Sequence, residues 1–165
     1  MKHLIRLAFA LLLPLMAVTV VYAANAADDE DNATPAEAAQ RLKAIVDLVK
    51  AKGVVAAGQR MMSEEDPLKC KYKDMTCLLI TSVDATFVAN TAIPKLVGQK
   101  FPLDLVDVDG NPIIAAQVGP ANHGQVKWDA KYKFARPGTK KVVPRWSFCE
   151  KVTEGHVACV VVAQQ

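Results

Sequence analysis

Histidine is scarce in this chain, long apolar runs are scarcer after its first residues, and runs of basic residues are absent. Of the three histidines among 165 residues, His3 lies in the apolar N-terminal stretch. His123 and His156 sit in or beside turn signals, where an imidazole is ordinarily solvated. There is no G-x-S-x-G, no H-E-x-x-H and no cysteine matched with a histidine, so the common hydrolase constellations are excluded. No catalytic residue is assigned, and the chain is read as a non-enzyme. Cys70 and Cys77 form a lone C-x6-C with no second close pair, which is not a zinc pattern. The segment Asp107-Val108-Asp109-Gly110-Asn111 has the start of a calcium loop. Its sixth position, however, is Pro112 where glycine is needed, and its twelfth is Val118 where glutamate is needed. That segment is read as a turn, and no metal or cofactor is expected. No Lys/Arg-rich run with interleaved aromatics occurs, so nucleic acid is not an expected partner. After residue 26 the longest apolar run, 157–163, is of strand length, well short of the roughly 20 residues a bilayer crossing needs.

Residues 1–26 read as a secretory signal peptide. Lys2 and Arg6 give the positive start, residues 7–21 the apolar middle, and Ala24-Asn25-Ala26 an A-x-A cleavage site. A retained anchor is the alternative. Without these residues the net charge falls from +3 to +1, because Lys2 and Arg6 are the only charged residues in that stretch. Residues 27–33, ADDEDNA, form an acidic leader with no apolar face to bury. The expected location is periplasmic or secreted.

Four cysteines in an exported chain suggest two disulfides. Three pairings are open to them, and local geometry favours one. Cys149 and Cys159 flank a hairpin whose loop is read as Thr153-Glu154-Gly155, with Gly155 left-handed, which places the two cysteines opposite each other. Cys70 and Cys77 then pair by elimination. Four buried free thiols are the alternative.

Helix signals come first along the chain. Thr34-Pro35-Ala36-Glu37 combines a capping box with proline at the first helical position. Ala38, Leu42, Ile45 and Val49 then form one apolar stripe. Gly53 stops this helix, and a shorter one is expected over 54–62. A strand follows over 77–83, then a turn at Asp84-Ala85 and a return over 87–89. A long crossing segment runs to the turn Asp109-Gly110-Asn111-Pro112. A short helix is expected over 112–118 and a loop over 119–124. Residues 125–134 alternate apolar and polar, as a half-exposed strand does, and 142–152 with 156–163 make a final hairpin. The fold class is α+β: N-terminal helices, then a roughly five-stranded antiparallel sheet.

The series VDATFVAN, PKLVGQ and VDVDGNPII is followed by Tyr132-Lys133-Phe134, Pro144-Arg145-Trp146-Ser147-Phe148 and Glu150-Lys151-Val152. In order and spacing these resemble a single Cache domain, over about residues 35–162. The resemblance implies a PAS-like bacterial extracytoplasmic sensor fold over 34–165 and a small organic acid or amino-acid-like ligand. It also implies a basic residue at Arg145 and an aromatic at Phe148, where the family often has tyrosine.

The residues themselves support a binding site. Arg145, held between Pro144 and Trp146, is suited to gripping a carboxylate with two parallel hydrogen bonds. Trp128, Tyr132 and Phe134 offer an aromatic wall, with Trp146 beside Arg145, and Tyr132 also offers a hydroxyl. Asp84 is assigned to an ammonium or hydroxyl group of the ligand. Ordinary core packing is the plain alternative for Trp128, Tyr132 and Trp146. The chain ends just after its last strand with no output domain, so a membrane-bound receptor or kinase is the expected signalling partner. The competing function is a structural or protein-interaction module, perhaps a homodimer, whose pocket its own side chains fill.

Overall fold

The computed structural model describes residues 32–65, 67–70, 72–136 and 138–164; the expected signal peptide and most of the leader lie outside them. Helix α1 spans Pro35–Lys52 and starts on the expected capping box. Glu37 N–H donates to Thr34 Oγ1 at 3.2 Å, and Thr34 N–H donates to Glu37 Oε2 at 2.6 Å. Its stripe of Ala38, Leu42, Ile45, Val46 and Val49 is buried. Gly53, at φ 79°, ends it with an N–H bond to Val49 O and leads into α2, Val54–Met61. Gly58 lets α2 lie against the sheet, because a Cβ there would meet Val88 Cγ1 at 2.9 Å.

Five strands follow: β1 Thr76–Thr81, β2 Phe87–Asn90, β3 Lys127–Ala135, β4 Val142–Thr153 and β5 His156–Ala163. They form one antiparallel sheet in the order β2-β1-β5-β4-β3. The interior strands β1 and β5 read as continuous apolar runs because both their faces are covered. Leu79, Val160 and Val162 face α1 and α2, whereas Leu78, Ile80, Val157 and Val161 face the other side. Each such side chain, fully buried, contributes about 1.5–3 kcal/mol. The second face is covered by helix α3, Ile114–Asn122, and by the crossing segment 91–113, which includes a 3-10 turn at Pro94–Leu96.

Residues 119–122, expected as loop, are instead the last turn of α3. Pro120 has no N–H for the carbonyl of Ala116, four residues back. The Trp128 indole fills that gap, donating Nε1–H to Ala116 O at 3.1 Å. A tertiary contact thus supports a helical turn that local sequence argues against.

The final hairpin also differs in detail. Thr153 pairs with His156 across a two-residue Glu154-Gly155 loop, and the register shifts between Lys151 and Thr153. The irregularity preserves the expected opposition of Cys149 and Cys159, whose Cα atoms lie 4.2 Å apart and which are disulfide-bonded. Cys70 and Cys77 form the second disulfide. Ala33, read with the solvated leader, is fully buried, and its N–H donates to Asp74 Oδ1 at 3.2 Å.

Candidate functional site

A cavity of about 190 Å³ lies between the sheet and the crossing segment. Its floor is Leu78 on β1, Val161 on β5, Arg145 on β4 and Tyr132 on β3; Ile93, Leu96, Phe101, Leu105 and Ile113 roof it. Most of this wall is apolar. The roof is held in place because the chain between β2 and α3 is pinned at both ends. Near β2, Asn90 Oδ1 accepts the Ile93 N–H at 2.9 Å. Near α3, the Asp107 carboxylate accepts the N–H groups of Asp109 and Asn111, and its Oδ2 accepts the Lys133 N–H of edge strand β3 at 2.7 Å. Burial pushes the Asp107 carboxyl up, but the hydrogen bonds from Lys133, Asn111 and Asp109 outweigh it and hold it at about 2.

Arg145 is 2% exposed, which for a guanidinium demands partners. Its Nη1 donates to Asp74 Oδ2 at 2.7 Å, and its Nη2 to Asp74 O at 2.9 Å and Val161 O at 3.4 Å. Asp74 lies within the loop closed by the Cys70–Cys77 disulfide. The guanidinium at the cavity wall is therefore already charge-balanced from beneath. A second guanidinium, Arg136, lines the cavity too, and its Nη2 donates to Asn32 Oδ1.

Beside Arg145 sits a small polar network. Tyr132 stands directly across from it in the β3–β4 register. Gln117 on α3, 1% exposed, donates Nε2–H to Tyr132 Oη at 2.7 Å and to Ser147 Oγ at 3.3 Å. Gln117 Oε1 is buried with no hydrogen-bond partner. Burial pushes the Tyr132 hydroxyl far above the usual phenol range, against the pull of Arg145, Ser147 and Gln117, so it stays protonated.

Of the six residues expected at the site, Arg145 and Tyr132 line this cavity. Trp146 and Phe148 do not, because alternation along β4 sends them to the opposite face, with ring centres 4.7 Å apart. There Lys131 Nζ sits 4.4 Å from the Trp146 ring centre, and Trp146 Nε1–H donates to Asp129 Oδ2 at 2.9 Å. Trp128 and Phe148 border a separate, shallower hollow of about 400 Å³ beside α1, with Leu42 and Lys43. Asp84 belongs to the β1–β2 turn, and hydrogen bonds from Thr81, Lys100 and Thr86 hold its carboxyl well below the usual range. Phe134, by contrast, does reach the cavity.

Sequence reasoning missed Asp74 and Gln117. Gln117 left a signal, being the one amide in the otherwise apolar run Ile113-Ile114-Ala115-Ala116-Gln117-Val118. Asp74 left none, since its partner Arg145 is 71 residues away. Among the described residues no group of three or more His, Cys, Asp or Glu is placed to hold a metal ion. Nor, among them, is any helix long and apolar enough to cross a membrane.

No protein-family model matches the chain, and no curated protein does. Solved structures do match. A methyl-accepting chemotaxis protein from Vibrio parahaemolyticus RIMD 2210633 superposes with a TM-score of 0.59 at 16% identity, over 78% of this chain and 86% of that one. A Cache chemosensory domain studied for carboxylic acid recognition gives a TM-score of 0.53 at 14% identity, over 77% of this chain and 93% of that one. The fold is therefore the PAS-like α+β fold of Cache domains.

Proposed function

We propose that this chain is an exported sensor domain that binds a small organic acid or amino-acid-like metabolite in the cavity beneath residues 91–113. One observation carries the reading: a half-open, mostly apolar space of about 190 Å³ with Arg145, Tyr132 and Gln117 among its lining residues. Small-molecule sites are built this way, from apolar walls and a few placed polar groups. The volume lies below the roughly 300–1,000 Å³ of drug-sized sites, which suits a metabolite of few heavy atoms. The structural likeness to a Cache domain that recognises carboxylic acids supports the same ligand class. An open cavity beside Arg145 also favours sensing over the structural module with a filled interior.

A ligand carboxylate at Arg145 shares the guanidinium with Asp74. The pair is close to neutral, so bare charge attraction contributes little. Hydrogen bonds and burial of the ligand's carbon atoms contribute most of the affinity. Export by residues 1–26 would place the domain in the periplasm. A membrane-bound receptor or kinase would then read its occupancy.

Isothermal titration with small monocarboxylates and amino acids tests the proposal. Saturable one-to-one binding is expected, and it is lost in Leu78→Phe, which fills the cavity from β1. Absence of binding at millimolar concentration, by protein whose circular dichroism shows it folded, would overturn it.

A further inference from the structure

The polar end of the cavity is one hydrogen bond short. Both amide protons of Gln117 are used, on Tyr132 Oη and Ser147 Oγ, while its Oε1 is buried and accepts nothing. Buried polar side-chain atoms are nearly always partnered, and an orphaned acceptor costs free energy. Only one other side-chain atom among the described residues is in this position, Arg41 Nε, and Arg41 is not among the cavity-lining residues. Gln117 is among them. The residue with the unmet acceptor is thus one that borders the space the ligand would occupy.

We propose that Gln117 sets the specificity of this cavity: its Oε1 accepts a hydrogen bond from the ligand, selecting small acids that carry a hydroxyl or ammonium donor over acids that carry none. This rests on the ligand-binding reading above and deepens it. Arg145 addresses the carboxylate, which every small acid has. Gln117 addresses the group by which they differ. The two are joined through Tyr132, which pairs with Arg145 across the sheet and accepts from Gln117, so one ligand of few atoms can reach both. A site that holds a buried acceptor discriminates strongly, because the analogue without the donor enters and leaves the acceptor unpaired.

Matched pairs test this in titration calorimetry: lactate against propionate, glycolate against acetate, and L-alanine against propionate. In the wild type, at least one donor-bearing acid is expected to bind tighter than its partner by roughly tenfold or more. In Gln117→Met, which keeps the volume and removes the amide, that acid is expected to fall to the affinity of its donor-free partner, which itself changes little. Equal affinities within every wild-type pair, or a preference for the donor-free acids, would overturn the inference while leaving the cavity a carboxylate site. So would a preference that survives in Gln117→Met. If no acid of either kind binds the wild type, the ligand-binding reading fails and this inference fails with it. The wild-type comparison alone decides the matter should Gln117→Met not fold.

Discussion

Asp74 Oδ2 lies 2.7 Å from Arg145 Nη1 and, at 2.9 Å, also accepts the N–H of Ala163 at the end of β5. Its Oδ1 takes the N–H of Ala33, at the start of the described chain. One buried carboxylate thus joins the cavity wall to both ends of the domain. Removing it leaves a buried guanidinium and two unpaired backbone N–H groups. Asp74→Ala is expected to lower the unfolding free energy by about 3–5 kcal/mol in urea titration. The double variant Asp74→Leu/Arg145→Met, which removes both charges, is expected to lose less than Asp74→Ala alone. A loss under about 1 kcal/mol in Asp74→Ala would contradict the pairing.

Pro120 and Trp128 are coupled through a single carbonyl. Trp128→Phe removes the indole donor to Ala116 O, and is expected to cost about 1–3 kcal/mol. Pro120→Ala restores an N–H for that carbonyl. It is therefore expected to stabilise the Trp128→Phe protein more than it stabilises the wild type. A double-mutant cycle measured by thermal or urea unfolding reads this coupling directly. Additive effects would show that the indole is not filling the proline's gap.

The loop around Asp107 gives the domain an acid-sensitive clasp. The folded carboxyl sits at about 2 against an ordinary 3.8, so folding favours its ionised form. That contribution is complete above the unfolded value and is lost as pH falls from about 4 toward 2. Asp84, whose carboxyl is also lowered, adds to the same trend. Asp107→Asn is expected to melt below the wild type at pH 7, with the gap narrowing as the pH approaches 2. A gap that stays constant from pH 7 to pH 2 would contradict this role for the carboxylate.

Local rules gave the elements and long-range geometry gave the site. The Thr34–Glu37 box, the Ala38-to-Val49 stripe and the Cys149–Cys159 hairpin rest on neighbours in sequence, and each was legible there. The helical turn at 119–122 was not, because Pro120 and Gly119 read as loop until Trp128 arrives from β3. The choice of Arg145 and Tyr132 followed from chemistry, and both line the cavity. Trp146 does not join Arg145 at the cavity, because a strand sends consecutive side chains to opposite faces. Asp74 was not recoverable, since no local pattern links it to a guanidinium 71 residues on.

Uptake of a small acid in the space between Arg145 and the segment 91–113 is the proposal on which the rest depends. Heteronuclear NMR of the labelled protein, titrated with small carboxylates and amino acids, tests it most directly. Saturable shifts centred on Leu78, Ile113, Gln117, Tyr132 and Val161 are expected. Shifts confined to Leu42, Phe148 and the α1 side of the sheet, or no shifts at millimolar ligand, would contradict it.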